Sequence, residues 1–319
     1  MRRYVIKRLA QAVGVLWAAY TVSFVVLDLL PGDPVTAMAS AGMDSGDVDP
    51  ARLAALRHEY GFDKPVLAQY AGYLGRAVRG DFGDSISTGR PVTSTLTDAL
   101  PQTLQLTSAA LLLAVLFGGG LAVAATYTSR RWLRQLLLSL PPLGVSVPTF
   151  WVGLLLVEAF SFRLRWFPAF GNDGLRGLVL PALTLAIPTG AQVAQVLAKS
   201  LLTALDQAYV ETARAKGAGR WQVHLRHALR NASLPALTVV GLLVGQLIAG
   251  SVVVETVFSR DGLGRVTAAA VTSQDIPLVQ GVVVFGALIF VATNLLVDLV
   301  YPLLDPRIVV ASDRRASFI

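Results

Sequence analysis

Residues 99–129 read ALPQTLQLTSAALLLAVLFGGGLAVAATYTS, without one Asp, Glu, Lys or Arg. About 20 mostly apolar residues, rising 1.5 Å each in a helix, cover a hydrocarbon core of about 30 Å. This run is therefore long enough to cross a bilayer with residues to spare, and to tilt or begin outside it. On either side lie five further charge-free runs: Leu9 to Leu27, Gln135 to Val157, Gly177 to Ala198, Asn231 to Val254 and Ile276 to Val297. In hydrocarbon every backbone N–H and C=O needs an internal partner, which continuous apolar runs find as helices. A membrane barrel would show short alternating strands instead. The composition agrees, with 54% hydrophobic and 15% charged residues against about 45–50% and 25% in soluble domains. The expectation is an all-α polytopic membrane protein with six transmembrane helices.

The net charge of +7 could point to nucleic acid, but the placement of the charges argues for topology. With the N-terminus inside, the short cytoplasmic stretches carry Arg2, Arg3, Lys7 and Arg8; Arg130, Arg131 and Arg134; Lys199, Arg214, Lys216, Arg220, Arg226 and Arg230; and Arg307, Arg314 and Arg315. The short external loops carry only Arg163, Arg165, Arg176, Arg260 and Arg265. That bias follows the positive-inside rule, so both termini are expected in the cytoplasm, the lipid bilayer is the partner and no nucleic acid is implied. The basic start, the apolar run and Ala37-Met38-Ala39 also resemble a cleaved secretory signal; the run is longer than a typical signal core, which favours a retained first span. The chain has no cysteine, which excludes disulfides and thiolate metal sites.

Between the first two spans, residues 31–98 change character, opening on Leu30-Pro31-Gly32-Asp33-Pro34 and carrying several aspartates and six basic residues. These 68 residues are too many for a mere connection, so this segment is expected as a small, water-facing helical cap. Within it, one helix should start at Asp49-Pro50 and end at Gly61, and another should run from Pro65 to Val78 with Tyr70, Tyr73 and Leu74 on one face. In the second span Gly118-Gly119-Gly120 suits close helix packing. The third span contains Pro141, Pro142 and Pro148 and should be kinked or broken. Phe160, Phe162, Trp166, Phe167 and Phe170 follow in what reads as an interfacial loop. Ionisable residues Asp28, Glu158, Glu255 and Asp298 all fall near span ends, leaving no carboxylate at the midplane and disfavouring ion-coupled carriage.

The longest cytoplasmic connection is Lys199 to Pro235. Leu201, Leu205, Tyr209 and Thr212 can share a helical face, so the fourth span is expected to continue past the membrane. Gly217 and Gly219 should break it, and Trp221 to Leu229 should restart an amphipathic helix. A short helix held off the membrane by glycine hinges suits a groove on another protein; an ordinary basic loop would read the same way.

A family resemblance decides between these. Glu211-Thr212-Ala213, then Gly217, with Leu234-Pro235 opening the next span, resembles the EAA loop of permease subunits of binding-protein-dependent ABC importers. Tyr209-Val210-Glu211-Thr212-Ala213-Arg214-Ala215-Lys216-Gly217 is similar to the dipeptide and oligopeptide branch, in particular the first permease of the pair. The resemblance extends in order along Leu30 to Pro34, Gly61-Phe62-Asp63-Lys64-Pro65, Arg79 to Ser85, Leu180-Pro181-Ala182-Leu183-Thr184-Leu185, Val254-Glu255-Thr256-Val257-Phe258, Asn294 to Asp298 and Leu304-Asp305-Pro306-Arg307. The chain departs from the family's pattern at Thr212, usually small; at Gln192, Gln195 and Lys199, where arginines are frequent; and at Ser259-Arg260-Asp261-Gly262, where a proline-glycine turn is usual.

The resemblance implies a type I importer permease. Its parts would be the N-terminus and first helix (1–30), the extracytoplasmic segment (31–98), a transmembrane domain (99–306) containing the coupling loop (199–233), and a cytoplasmic tail (307–319). It implies no catalytic residue and no cofactor or metal in this chain, which lacks the G-x-x-x-x-G-K-[ST] phosphate loop; ATP and Mg would be bound by two partner ATPase subunits. Tyr209, Glu211, Thr212, Ala213, Gly217 and Ala218 would couple to them. A second homologous permease and an extracytoplasmic peptide-binding protein would complete the complex in a bacterial cytoplasmic membrane. Ser146, Gln246 and Ser251 are pathway candidates. An intramembrane enzyme finds no constellation, since His224 and His227 alone do not make a metal site; a channel or carrier working alone would not need the Gly217 loop. The substrate, whether a dipeptide, an oligopeptide, glutathione, a nickel chelate or another, is not written in these residues.

Overall fold

The computed structural model describes residues 2–29, 54, 58 and 63–304. Among these the protein is helical: α1 (Arg2–Leu29), α2 (Val66–Ala77), α3 (Val92–Tyr127), α4 (Arg131–Ser146), α5 (Thr149–Arg163), α6 (Gly174–Leu205), α7 (Ala208–Ala215), α8 (Arg220–Val257), α9 (Leu263–Thr272) and α10 (Ile276–Leu304). Four helices, α3, α6, α8 and α10, are long and apolar enough to cross a membrane, and a fifth span results if the bent pair α4–α5 counts as one. In α1 the apolar part is shorter, Ala10–Val26. Of the helix expected from Asp49-Pro50 to Gly61 only Ala54 and His58 are described, both helical, and the tail 307–319 lies outside the described residues.

The chain divides into two compact units, 1–102 with 261–291 and 103–260 with 292–319. In the first, the helix expected near Pro65 to Val78 is α2, with Pro65 as its N-cap. Tyr70 lies 5.3 Å from the Phe24 ring and Tyr73 6.5 Å, so the predicted aromatic face packs on the apolar part of α1. A tight turn follows, in which Gly83, at φ +75, lets Val92 N–H reach Gly83 O (3.0 Å) and Ser85 N–H reach Arg90 O (2.9 Å). Asp275, fully buried, holds this turn. Its Oδ2 accepts from Ser85 Oγ (2.6 Å), Ser87 N (3.0 Å) and Ser87 Oγ (2.9 Å), while Oδ1 accepts from Leu278 N (3.2 Å) and so caps α10. Val92, Leu96, Leu263, Ala270 and Leu278 form the core beside it. Helix α9 lies where a plain external loop was expected.

In the second unit α6 is the hub, with 72% of its most apolar window buried against 33% or less for the other spans. One core joins Leu106 and Ala110 of α3, Leu180 and Leu185 of α6 and Leu247, Val254 and Phe258 at α8. The other is almost all alanine, with Ala122, Ala198, Ala204, Ala228, Ala232 and Ala236 around Leu197 and Leu201. Small residues bring backbones together where no hydrophobic effect separates helix from lipid. The closest approach is at Gly118, where an added Cβ would fall 2.2 Å from Gly190 O.

The structure sharpens three expectations in this unit. The third span does break, by 104°, but at Pro148 alone. Val147 is extended (φ −87, ψ 130) because a residue before proline avoids the helical region, while Pro141 and Pro142 stay inside α4. Phe160 and Phe162 belong to a π-helical turn, Val157–Arg163, rather than to a loop. Glu255 and Arg260, placed at a span end and in an external loop, are sealed inside, at 0% and 1% exposure. Thr103 Oγ1 donates to Glu255 Oε1 (2.7 Å), and Arg260 Nη1 donates to Gly177 O (3.0 Å). Ser259, at φ +49, turns the chain back so that Arg260 N–H bonds Glu255 O (2.8 Å).

Candidate coupling interface

Helix α6 stops at Leu205; Asp206 leaves the helical region (φ −89, ψ 3) and Gln207 is extended (φ −84, ψ 148). The expected continuous helix through Tyr209 and Thr212 is thus two helices. The second, α7, has Glu211 in its first turn and Arg214 in its last, each opposite in sign to the helix end it faces.

Its end is a Schellman motif. Lys216 is the C-cap, Gly217 N–H bonds Arg214 O (2.9 Å) and Ala218 N–H bonds Ala213 O (3.0 Å). Gly217 sits at φ +82, a conformation in which a side chain would be strained. Gly219 then extends (φ −66, ψ 157) and caps α8. The turns around Trp221 to Leu229 are therefore the beginning of α8, widened into a π-helical turn at Val223–Ala228, and the helix held between glycine and bend is α7 alone.

Anchoring and presentation divide cleanly along α7. Val210 is fully buried, and α7 packs on the π-helical turn. Tyr209, Glu211, Thr212, Arg214 and Lys216 are exposed, while Ala213 and Ala218 are half-buried. Thr212 Oγ1 donates to Ala208 O (3.2 Å), which keeps it from competing with the helix from outside. The structure thus brings Tyr209, Glu211, Thr212, Ala213, Gly217 and Ala218 into one small element. Ser146 and Gln246 are exposed on α4 and α8, Ser251 is buried, and Ser146 and Ser251 bond carbonyls of their own helices.

Sequence reasoning missed what fastens the base of this element. Tyr127, the last residue of α3, is surrounded by residues that follow the glycines. The Arg220 guanidinium lies 4.6 Å from its ring centroid and donates from Nη2 to Tyr127 O. The rings of Trp221 and His224 meet it edge-on at 5.7 and 5.5 Å. Beside it Thr126 Oγ1 donates to Ala122 O (2.8 Å), so the 3.0 Å contact with His224 Nε2 is a bond that the imidazole donates. Burial first, and then the Arg220 charge, hold the His224 pKa below its ordinary 6.5. The available signal was the aromatic and basic residues just after Gly219, but nothing in the sequence pairs them with Tyr127.

Among the described residues no three of His, Cys, Asp and Glu converge as a metal cluster would require. The arrangement presents an exposed helix on a fixed base. Residues 98–310 match the family described as binding-protein-dependent transport system inner membrane component, and residues 1–107 match the N-terminal component of the same systems. The glutathione transport system permease protein GsiC of Salmonella typhimurium (strain LT2) is 37% identical over 308 residues, covering 97% of this chain and 99% of its own. A Brucella suis protein named provisionally as a peptide transport system permease is 37% identical over 316 residues, with the same coverage. Among solved structures, an inward-facing conformation of the MetNI methionine ABC transporter superposes with a TM-score of 0.58 at 15% identity, covering 66% of this chain and 96% of that one; that likeness concerns the fold. The chain belongs to the family of binding-protein-dependent transport system inner membrane components, multi-pass permeases of ABC importers whose ATP is handled by separate subunits.

Proposed function

We propose that this chain is one of two homologous permeases in an ATP-driven importer of di- and oligopeptides, glutathione-like peptides included, with α7 as the helix that docks into its ATPase subunits. The observation that carries the coupling role is the exposed, glycine-terminated α7 set on a buried Val210 anchor; the substrate class follows from relatives that the chain matches over almost its whole length. Six spans follow if α1 and the broken α4–α5 pair both cross, with both termini inside and residues 31–98 outside. Two ATPase subunits, drawn together by ATP, would move α7 as a rigid body, and α6 and α8, which flank it, would carry that motion to the pathway. Ser146 and Gln246, exposed polar groups on apolar helices, fit a weakly specific peptide route; Ser251, closed into the core, fits it less well. An extracytoplasmic binding protein would deliver the peptide.

The deciding experiment is gentle purification of the tagged chain from its native membrane, with a crosslinker placed at Glu211 or Arg214. Recovery of a second permease and crosslinked ATPase subunits is the expected result. A chain that comes out alone, with no crosslinked partner, would set the coupling role aside.

A further inference from the structure

Helix α6 is the most enclosed span of the unit formed by residues 103–260 and 292–319, and the little it leaves open is mainly polar. Of residues 177–204 only Ile187, Gln195, Lys199 and Thr203 are exposed. The neighbouring spans instead expose large apolar side chains suited to lipid, such as Leu112 and Leu116 on α3, Leu140 and Leu143 on α4, and Leu242 and Val253 on α8.

The polar residues of α6 share one face. Pro188, the half-buried Gln192, then Gln195, Lys199 and Thr203 follow one another at steps of three and four residues. Leu197, Leu201 and Ala204 lie on the opposite side, in the alanine-rich core. About 20 residues of helix from Gly177 reach Val196 and cover about 30 Å, so Gln192 and Gln195 fall within hydrocarbon depth and Lys199 at its inner edge. Thr203 Oγ1 is satisfied inside the helix, donating to Lys199 O (3.1 Å). The side chains of Gln192, Gln195 and Lys199 meet no hydrogen-bond or ion-pair partner among the described residues. Two amides, each with donors and an acceptor, are costly to set against acyl chains. This face therefore meets water or a polar molecule.

We propose that this face of α6 lines the cytoplasmic half of the translocation pathway, and that Lys199 receives the terminal carboxylate of the peptide passing along it. The inference rests on the importer reading and the topology given above. A lysine that only anchored α6 at the headgroups would need no polar face above it, yet Gln195 lies one turn deeper and Gln192 two. A surface of the second permease would have to bring both a carboxylate and amide partners to these positions. A di- or oligopeptide carries both in its own chemistry, and the glutamines can exchange hydrogen bonds with any peptide group without reading its side chains.

The test uses the assembled importer in nanodiscs, without nucleotide, so that both sides are open to solution. Because the chain has no cysteine, Gln192→Cys, Gln195→Cys and, on the exposed face of α3, Leu116→Cys each offer one thiol to a charged methanethiosulfonate that does not enter hydrocarbon. The expected result is rapid modification at 192 and 195 and none at 116. Millimolar trialanine, added directly, should slow the reaction at 195 more than trialanine amide does, by about 2- to 5-fold, the range of a solvated ion pair. Adding Lys199→Gln should erase that difference and Lys199→Arg should keep it, a pattern that a merely structural lysine does not give. Resistance at 192 and 195 equal to that at 116, in an importer whose ATPase subunits are present, would mean that lipid or the second permease covers this face and would overturn the proposal. Equal slowing by both peptides, unchanged in Lys199→Gln, would overturn the assignment of the carboxylate to Lys199. Failure of the importer reading itself shows at an earlier step, as a chain that purifies without ATPase subunits.

Discussion

At Gly217 the end of α7 depends on a single backbone torsion. At φ +82 no atom would touch an added Cβ, so the penalty for a side chain there is conformational rather than steric. Gly217→Ala should therefore cost about 1–2 kcal/mol of local stability and lower coupling slightly, with assembly intact. Gly217→Asp adds an anion beside the exposed carbonyl end of α7, where the helix dipole disfavours negative charge. That variant should insert normally but hydrolyse ATP without matching uptake, a separation read by measuring both rates in reconstituted vesicles. Normal transport by Gly217→Asp would remove the motif from the mechanism. His224 gives a second prediction at this scale. Its pKa is held below 6.5 because burial penalises the imidazolium. A depressed folded-state value stabilises the protein fully above 6.5, and this contribution is lost as pH falls below it. Melting temperatures measured from pH 7.5 to 5.5 should fall more steeply for the native chain than for His224→Gln.

Among the elements, the contact of α3 with α6 leaves the least room for substitution. The Gly118-Gly119-Gly120 run was legible as a packing site, yet only Gly118 is in close contact; an added Cβ at Gly119 or Gly120 comes no nearer than 4.0 Å to anything else. Gly118→Ala has to push backbone from backbone and should cost about 1–3 kcal/mol, whereas Gly120→Ala should be silent or slightly stabilising through helix propensity. Thermal melts of the purified chain would separate the two. The same contrast shows what the sequence could convey. Hydropathy located the long helices and the prolines announced the break, because both are local properties. It missed the separation of α6 from α7, since Asp206-Gln207 contains no glycine or proline. It also missed Glu255 and Arg260 turning inward, because their burial depends on Thr103 and Gly177, far away in the chain. Likewise, Gly217 could be identified from its place in the loop, but the Tyr127 clasp required knowing where α3 ends.

For the whole molecule, the number of bilayer crossings turns on the α4–α5 pair. Four helices pass on length and composition, and the α4–α5 pair, bent by 104°, is compatible with one broken span or with a hairpin that returns to its own side. Charge placement favours crossing. Arg130, Arg131 and Arg134 form a basic cluster at the start of α4 suited to the inside, while the end of α5 and the segment after it carry exposed aromatics, Phe162, Trp166 and Phe170, suited to an interface. The absence of cysteine from the chain makes this directly testable, since each introduced thiol is the only one present. Cysteines placed singly at the exposed positions Lys64, Arg131, Asp173 and Gln207 should divide in two. In spheroplasts, a membrane-impermeant maleimide should label the variants at 64 and 173 at once and those at 131 and 207 only after permeabilisation. Equal labelling at 131 and 173 would make the bent pair re-entrant, and the parity of crossings would then put the two termini on opposite faces. The basic cluster at the start of α4, the six basic residues around α7 and the arginines at both ends could not then all lie inside. The positive-inside bias and the proposed docking of α7 to cytoplasmic ATPases therefore depend together on the geometry at Val147-Pro148.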